Sequence, residues 1–146
     1  MTTKAEWLAL AERCEKAKGP DQSIDVWIEN YCGIAEFIQP HTWRASIDSP
    51  ERGRIRPLTA SLDAITALIE RELPGWYCTS THIPPEFRSD ETLPFDASLV
   101  GNIREEQFGY DEPPELTHAV HPGAGATEPL ARCAAFCRAM AEKEPT

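Results

Sequence analysis

Four stretches of this chain repeat apolar residues at helical spacing, and glycine or proline punctuates an end of each one. Thr3 and Glu6 make a capping-box start, after which Trp7, Leu10, Ala11, Cys14 and Ala17 share a face until Gly19-Pro20. Asp21 or Ser23 can cap a second helix, in which Ile24, Trp27, Ile28 and Tyr31 form a stripe before Gly33. These two helices are expected to form an antiparallel pair. In the third stretch Thr59 or Ser61 can cap, Leu62, Ile65, Ile69 and Leu73 line up with Leu68 on the margin, and Pro74-Gly75 stops the run. The last helix has Thr127 as cap, Pro129 in its first turn, and Leu130, Cys133, Ala134, Cys137 and Ala141 on one face.

Between the helices the pattern changes. Phe37, Ile38, Trp43, Ile47 and Ile55 surround a Ser49-Pro50-Glu51-Arg52-Gly53 turn signal, which predicts a short hairpin between Ile34 and Pro57. Trp76 to Ile83 and Leu93 to Val100 read as two strands joined by a long polar loop, and His118 to His121 as a short strand. Gly101 to Pro114 has no period and reads as an exposed loop. At 146 residues the chain fits one domain with its own core, without metal or disulfide staples. The expected fold is α/β in the α+β sense: a small α/β/α sandwich over residues 1–146. Its antiparallel or mixed sheet is built from the Trp43, Trp76 and Phe95 regions, with about four or five strands and about four helices on its faces.

Charge and cysteine usage exclude several classes. The net charge of −10 disfavours direct nucleic-acid binding through phosphate neutralisation. Nine carboxylates between residues 86 and 115, against Arg88 and Arg104, give that segment a balance of −7. It marks an acidic insertion at about residues 86–116. The five cysteines form an odd set without CxxC spacing, which fits reduced thiols better than a disulfide framework or zinc ribbon. No apolar run is long enough for a membrane span, and the N-terminal apolar stretch is interrupted by charges, unlike a secretion signal. A cytoplasmic location is expected.

LTASLDAITALIERELPGW, followed by strand-forming sequence, and ATEPLARCAAFCRAMA near the C-terminus carry a family likeness. Together with Gly19-Pro20-Asp21 between the first helices, they make the chain resemble the phage ABA sandwich domain, a group of small phage and prophage proteins. The resemblance implies a sandwich fold, a viral origin and residence in the host cytoplasm; it implies no chemistry. The chain departs from the pattern at Glu128, between Thr127 and Pro129, and in its acidic insertion.

Candidate sites follow from residue type. His118 and His121, with Cys78, His82, Asp111, Glu112 and Glu115, are metal-ligand types, but on a strand the two histidines point to opposite faces, so no metal is expected. Cys133 and Cys137 share the apolar face of the last helix and read as core residues. Arg52, Arg54 and Arg56 alternate, so on a strand they would share a face with Arg44 joining from the preceding strand. Together with Gly123, Gly125 and Thr127, a glycine-rich turn entering a helix, they could hold a phosphate; pairing with Asp48 and Glu51 is the default. Trp43 and Tyr77 could stack on a base or pack the core. No nucleophile-plus-base set or cofactor motif is recognisable, so catalysis is not the leading expectation and no cofactor is expected.

Combined with the resemblance, these features point to a non-catalytic phage accessory protein that binds a host component and blunts a defence. The acidic surface at Glu105, Glu106, Asp111, Glu112 and Glu115 is its candidate contact. The alternative is a pocket that sequesters a small phosphorylated signal of nucleotide type; an enzyme degrading such a signal is the third reading. Oligomeric state is left open.

Overall fold

A computed structural model describes residues 2–32, 35–39, 42–45, 56–101 and 120–143, with 35–39 and 42–45 described through their backbone. The elements are α1 (Lys4–Lys16), α2 (Gln22–Tyr31), β1 (Ala35–Gln39), β2 (Thr42–Ala45), α3 (Leu62–Glu72), β3 (Tyr77–His82), β4 (Phe95–Val100), β5 (Val120–Gly125) and α4 (Glu128–Lys143). A single turn of 3₁₀ helix, Pro85–Phe87, lies between β3 and β4. Among the described residues no helix is long and apolar enough to cross a membrane.

Local signals set the helix ends. Thr3 Oγ1 accepts the Glu6 amide and Glu6 Oε1 accepts the Thr3 amide, at 3.2 and 3.1 Å, so the capping box forms as the sequence predicts. Asp21 caps α2 through Oδ1, and Ser61 rather than Thr59 caps α3. Pro74 cannot continue α3, and Gly75 takes a φ of 86°, open to glycine at little cost, as the chain turns into β3.

The main sheet is three-stranded and antiparallel in the order β3-β4-β5. β1 and β2 form a separate antiparallel pair, and β1 lies against α2. The Trp43 region is therefore not in the main sheet, which is smaller than expected. The β1–β2 register, with Gln39 beside Thr42, leaves two residues between the strands, so the connection falls at positions 40–41 and not at Ser49–Gly53. That predicted turn lies outside the described residues.

α4 sits at the centre. The sequence predicts one buried stripe, and Leu130, Cys133, Ala134, Cys137 and Ala141 are indeed buried. Ala131, Ala135, Phe136, Ala139 and Met140 are buried too, because α4 packs on β4 and β5 on one side and on α1 and α3 on others. Its many alanines let these neighbours approach closely. Trp7 of α1 is wholly buried with edge-on contacts to Tyr31 and Phe136, at ring centroid distances of 5.1 and 5.9 Å. Leu68, on the margin of the predicted α3 stripe, is fully buried.

Candidate interaction surface

Asp21 caps α2, and Asp25 and Glu29 follow it at four-residue intervals, so the two carboxylates within the helix lie on one face. Both are buried, and both bind the segment that leads into α3. Asp25 Oδ1 accepts the Thr59 amide at 2.7 Å, and the Thr59 hydroxyl accepts the Asp21 amide at 2.8 Å while donating to the Asp21 carbonyl at 3.2 Å. Glu29 Oε1 accepts both the backbone amide and Nε of Arg56, at 3.2 and 2.9 Å. Burial pushes the Asp25 and Glu29 carboxyls above their ordinary pKa, outweighing the hydrogen bonds from Thr59 and Arg56 that act in the opposite direction. Sequence reasoning passed over this cluster. Its signal was the four-residue spacing of carboxylates, which on most helices marks a solvated face.

The cluster corrects one candidate. Arg56 reads in the sequence as a candidate phosphate ligand sharing a strand face with Arg52 and Arg54, but its side chain is 16% exposed and is held by a Glu29 side chain that is 0% exposed. Arg44 lies in β2, and Arg52 and Arg54 lie outside the described residues.

The glycine-rich turn is a second correction. Gly123 and Gly125 are in β5, buried against α4. A Cβ on Gly123 would collide with the backbone of Ala131 and Ala135, and one on Gly125 would lie 2.6 Å from the Ala131 nitrogen. Both glycines serve close helix–strand packing. Thr127 faces its own helix, its Oγ1 accepting the Leu130 amide at 3.4 Å. Glu128 has a structural role as well: its Oε1 accepts the Ser80 hydroxyl at 3.2 Å, and Arg132 Nε donates to Ser80 Oγ at 2.7 Å, which fastens the start of α4 to β3.

The edge of β5 is closed by side chains. The Ala124 amide, turned away from β4, donates to Glu15 Oε2 at 3.0 Å, and the Pro122 carbonyl accepts from Arg138 Nη1 at 2.9 Å. Arg138 Nη1 also donates to Glu15 Oε2 at 2.7 Å, so the ion pair occupies the place a further strand would take. Pro122 suits such an edge, since its missing N–H would have faced outward.

The acidic surface begins beside the face of this sheet that is turned away from α4. Glu86, Asp90, Glu91 and Asp96 are exposed, and none takes a hydrogen bond or ion pair from the described residues. Arg88, the cation among them, is folded back: its Nε donates to the Ile83 carbonyl at 2.6 Å and Nη2 meets His82 Nε2 at 3.0 Å. Phe87 is 76% exposed in the same loop, and Tyr77 and Val120 on the outward face of the sheet are 53% and 54% exposed. Glu105, Glu106, Asp111, Glu112 and Glu115 lie outside the described residues.

Of the remaining ligand-type residues, His118 lies outside the described residues. His121 stacks on Trp76 at a centroid distance of 5.7 Å, and burial holds its pKa below the ordinary value. His82 packs against Phe95. Among the described residues no group of three or more His, Cys, Asp or Glu side chains is placed to hold a metal ion. Cys14, Cys133 and Cys137 are wholly buried, and burial raises the thiol pKa of Cys133 and Cys137 far above its ordinary value. A thiol reagent applied to the native protein is expected to leave Cys133 and Cys137 unmodified, while in denaturant all five cysteines react. Mass mapping of the labelled peptides checks this; modification of either residue at its denatured-state rate would contradict the burial.

Comparison of the chain with family models, curated proteins and solved structures finds no match.

Proposed function

We propose that this chain is a phage-encoded accessory protein that acts without catalysis by binding a basic site on a host protein that takes part in antiviral defence. The observation that carries the reading is the run of four exposed carboxylates at Glu86, Asp90, Glu91 and Asp96 whose neighbouring Arg88 is engaged with Ile83 and His82. Carboxylates left without counter-charge set up a field that steers a basic partner and adds specificity more than raw affinity. The acidic sequence continues at Glu105, Glu106, Asp111, Glu112 and Glu115. The phage assignment rests on the resemblance of the α3 and α4 sequences.

The test is affinity capture from infected cells, repeated at rising salt and with a variant carrying Glu86→Gln, Asp90→Asn, Glu91→Gln and Asp96→Asn. The same partner is expected to be lost with salt, and the variant to associate about tenfold more slowly with an unchanged melting temperature, because exposed charges contribute little to stability. Capture that is indifferent to both salt and the four changes would remove the acidic surface from the reading. A phosphorylated small molecule released by denaturing the captured protein would favour sequestration instead.

A further inference from the structure

The two edges of the main sheet are treated differently. β5 is closed by Glu15, Arg138 and Pro122, whereas no described residue closes β3. Ile83 donates its backbone N–H to the Pro94 carbonyl at 2.8 Å, and amides alternate in direction along an antiparallel ladder. Tyr77, Thr79 and Thr81 therefore turn their amides toward β4, and Cys78, Ser80 and His82 turn their N–H and C=O groups outward. Among the described residues nothing bonds these outward groups. The free ladder is bounded on both sides: the Trp76 N–H is taken by the Leu73 carbonyl at 3.1 Å, and Pro84 has no N–H to give. It is centred on Ser80.

Natural sheets blunt an open edge with charge, proline or a bulge. β3 has none of these: Tyr77–His82 contains no Asp, Glu, Lys or Arg, no proline, and pairs with β4 in unbroken register. Its central Thr79-Ser80-Thr81 also reads the same in both directions. We propose that β3 is a self-pairing edge, joining two copies of the chain antiparallel about a two-fold axis at Ser80. In that register Ser80 meets Ser80 and Cys78 meets His82 of the other copy, so every outward amide of both strands finds a carbonyl. Thr79 of one copy lies opposite Thr81 of the other, a favourable cross-strand pair with no like charges opposed. The closed β5 edges then stop the assembly at two copies.

Sedimentation velocity of the intact chain, from micromolar to submillimolar concentration, tests the proposal. The wild type is expected to dimerise, and more tightly as salt screens the −10 carried by each copy. Thr79→Glu with Thr81→Glu, both at exposed positions, sets carboxylates against one another across the axis and is expected to weaken the dimer about tenfold or more. Mixing that variant with Thr79→Lys/Thr81→Lys is expected to restore a dimer made of one copy of each. If the glutamate variant does not fold, His82→Pro, which deletes an outward amide at an edge position, gives the same reading. A wild type that stays monomeric over the whole range, a glutamate variant as dimeric as the wild type, or no mixed species would each overturn the proposal.

Discussion

Glu29→Leu is expected to destabilise the protein by about 3–5 kcal/mol, and the double variant Glu29→Leu/Arg56→Met to recover most of that loss. The single change leaves a guanidinium in a site where it is 16% exposed and whose charge cannot be removed by titration. Arg56 also loses the acceptor of both its backbone amide and Nε. The pair itself is not strong. Glu29 Oε2 and Arg56 Nη2 are buried without a hydrogen-bond partner, so the two groups meet through one tooth of a possible fork. Removing both charges therefore sacrifices little Coulombic energy and removes two desolvation costs. Arg56→Met alone should cost less than Glu29→Leu, because a buried carboxyl can take up a proton. Glu29 already has a raised pKa, and a raised folded-state pKa gives stability that is complete below the unfolded value of about 4.3 and is lost as pH rises through the folded one. The Arg56→Met protein should thus lose stability with rising pH more steeply than the wild type. Urea denaturation at constant slope checks all three variants. A Glu29→Leu loss below about 1 kcal/mol, or a double variant no better than the single, would contradict this account.

The second large effect is expected at Gly123. Gly123→Ala places a methyl group against the backbone of Ala131 and Ala135, in the middle of a helix that is buried on several sides and has no direction in which to yield. A loss of about 3 kcal/mol is expected, and Gly125→Ala should behave similarly, its Cβ meeting Ala131 and Leu130. Gly19→Ala is the control: nothing lies within 4 Å of its added carbon, so its effect should stay within about 0.5 kcal/mol. Thermal melts of the three proteins separate close packing from a general intolerance of alanine. If Gly123→Ala and Gly19→Ala melt together, β5 does not sit on α4 as described.

What could be read from the sequence was what short-range chemistry dictates. Thr3 and Glu6 act across one turn, Pro74-Gly75 ends a helix within two residues, and the strands at Tyr77 and Phe95 carry their own β-forming sequence. Residues whose role depends on a distant element were misread. Gly123 and Gly125 look like a turn because glycine usually marks one, yet their purpose is set by α4 lying on them. Thr59 looks like a cap, but its amide and hydroxyl are claimed by Asp25 and Asp21 from α2. Glu29 and Arg56 are separated by 27 positions, and nothing local distinguishes either from a surface charge. For α4 a single stripe is visible in sequence, while the number of neighbours a helix will receive is not.

The clasp of Glu15 and Arg138 on β5 bears on the order in which the molecule can assemble. Glu15 reaches across 109 positions to Ala124 and across 123 to Arg138. Such distant contacts must meet the entropy of closing most of the chain into a loop before they return anything, which slows folding. During synthesis α1 leaves the ribosome before β5 and α4 and waits, with Trp7, Leu10, Ala11 and Cys14 unburied, until they follow. Only when these ends meet does β5 receive its clasp, so the interval between translation of α1 and arrival of α4 is when the nascent chain most needs a chaperone's shelter.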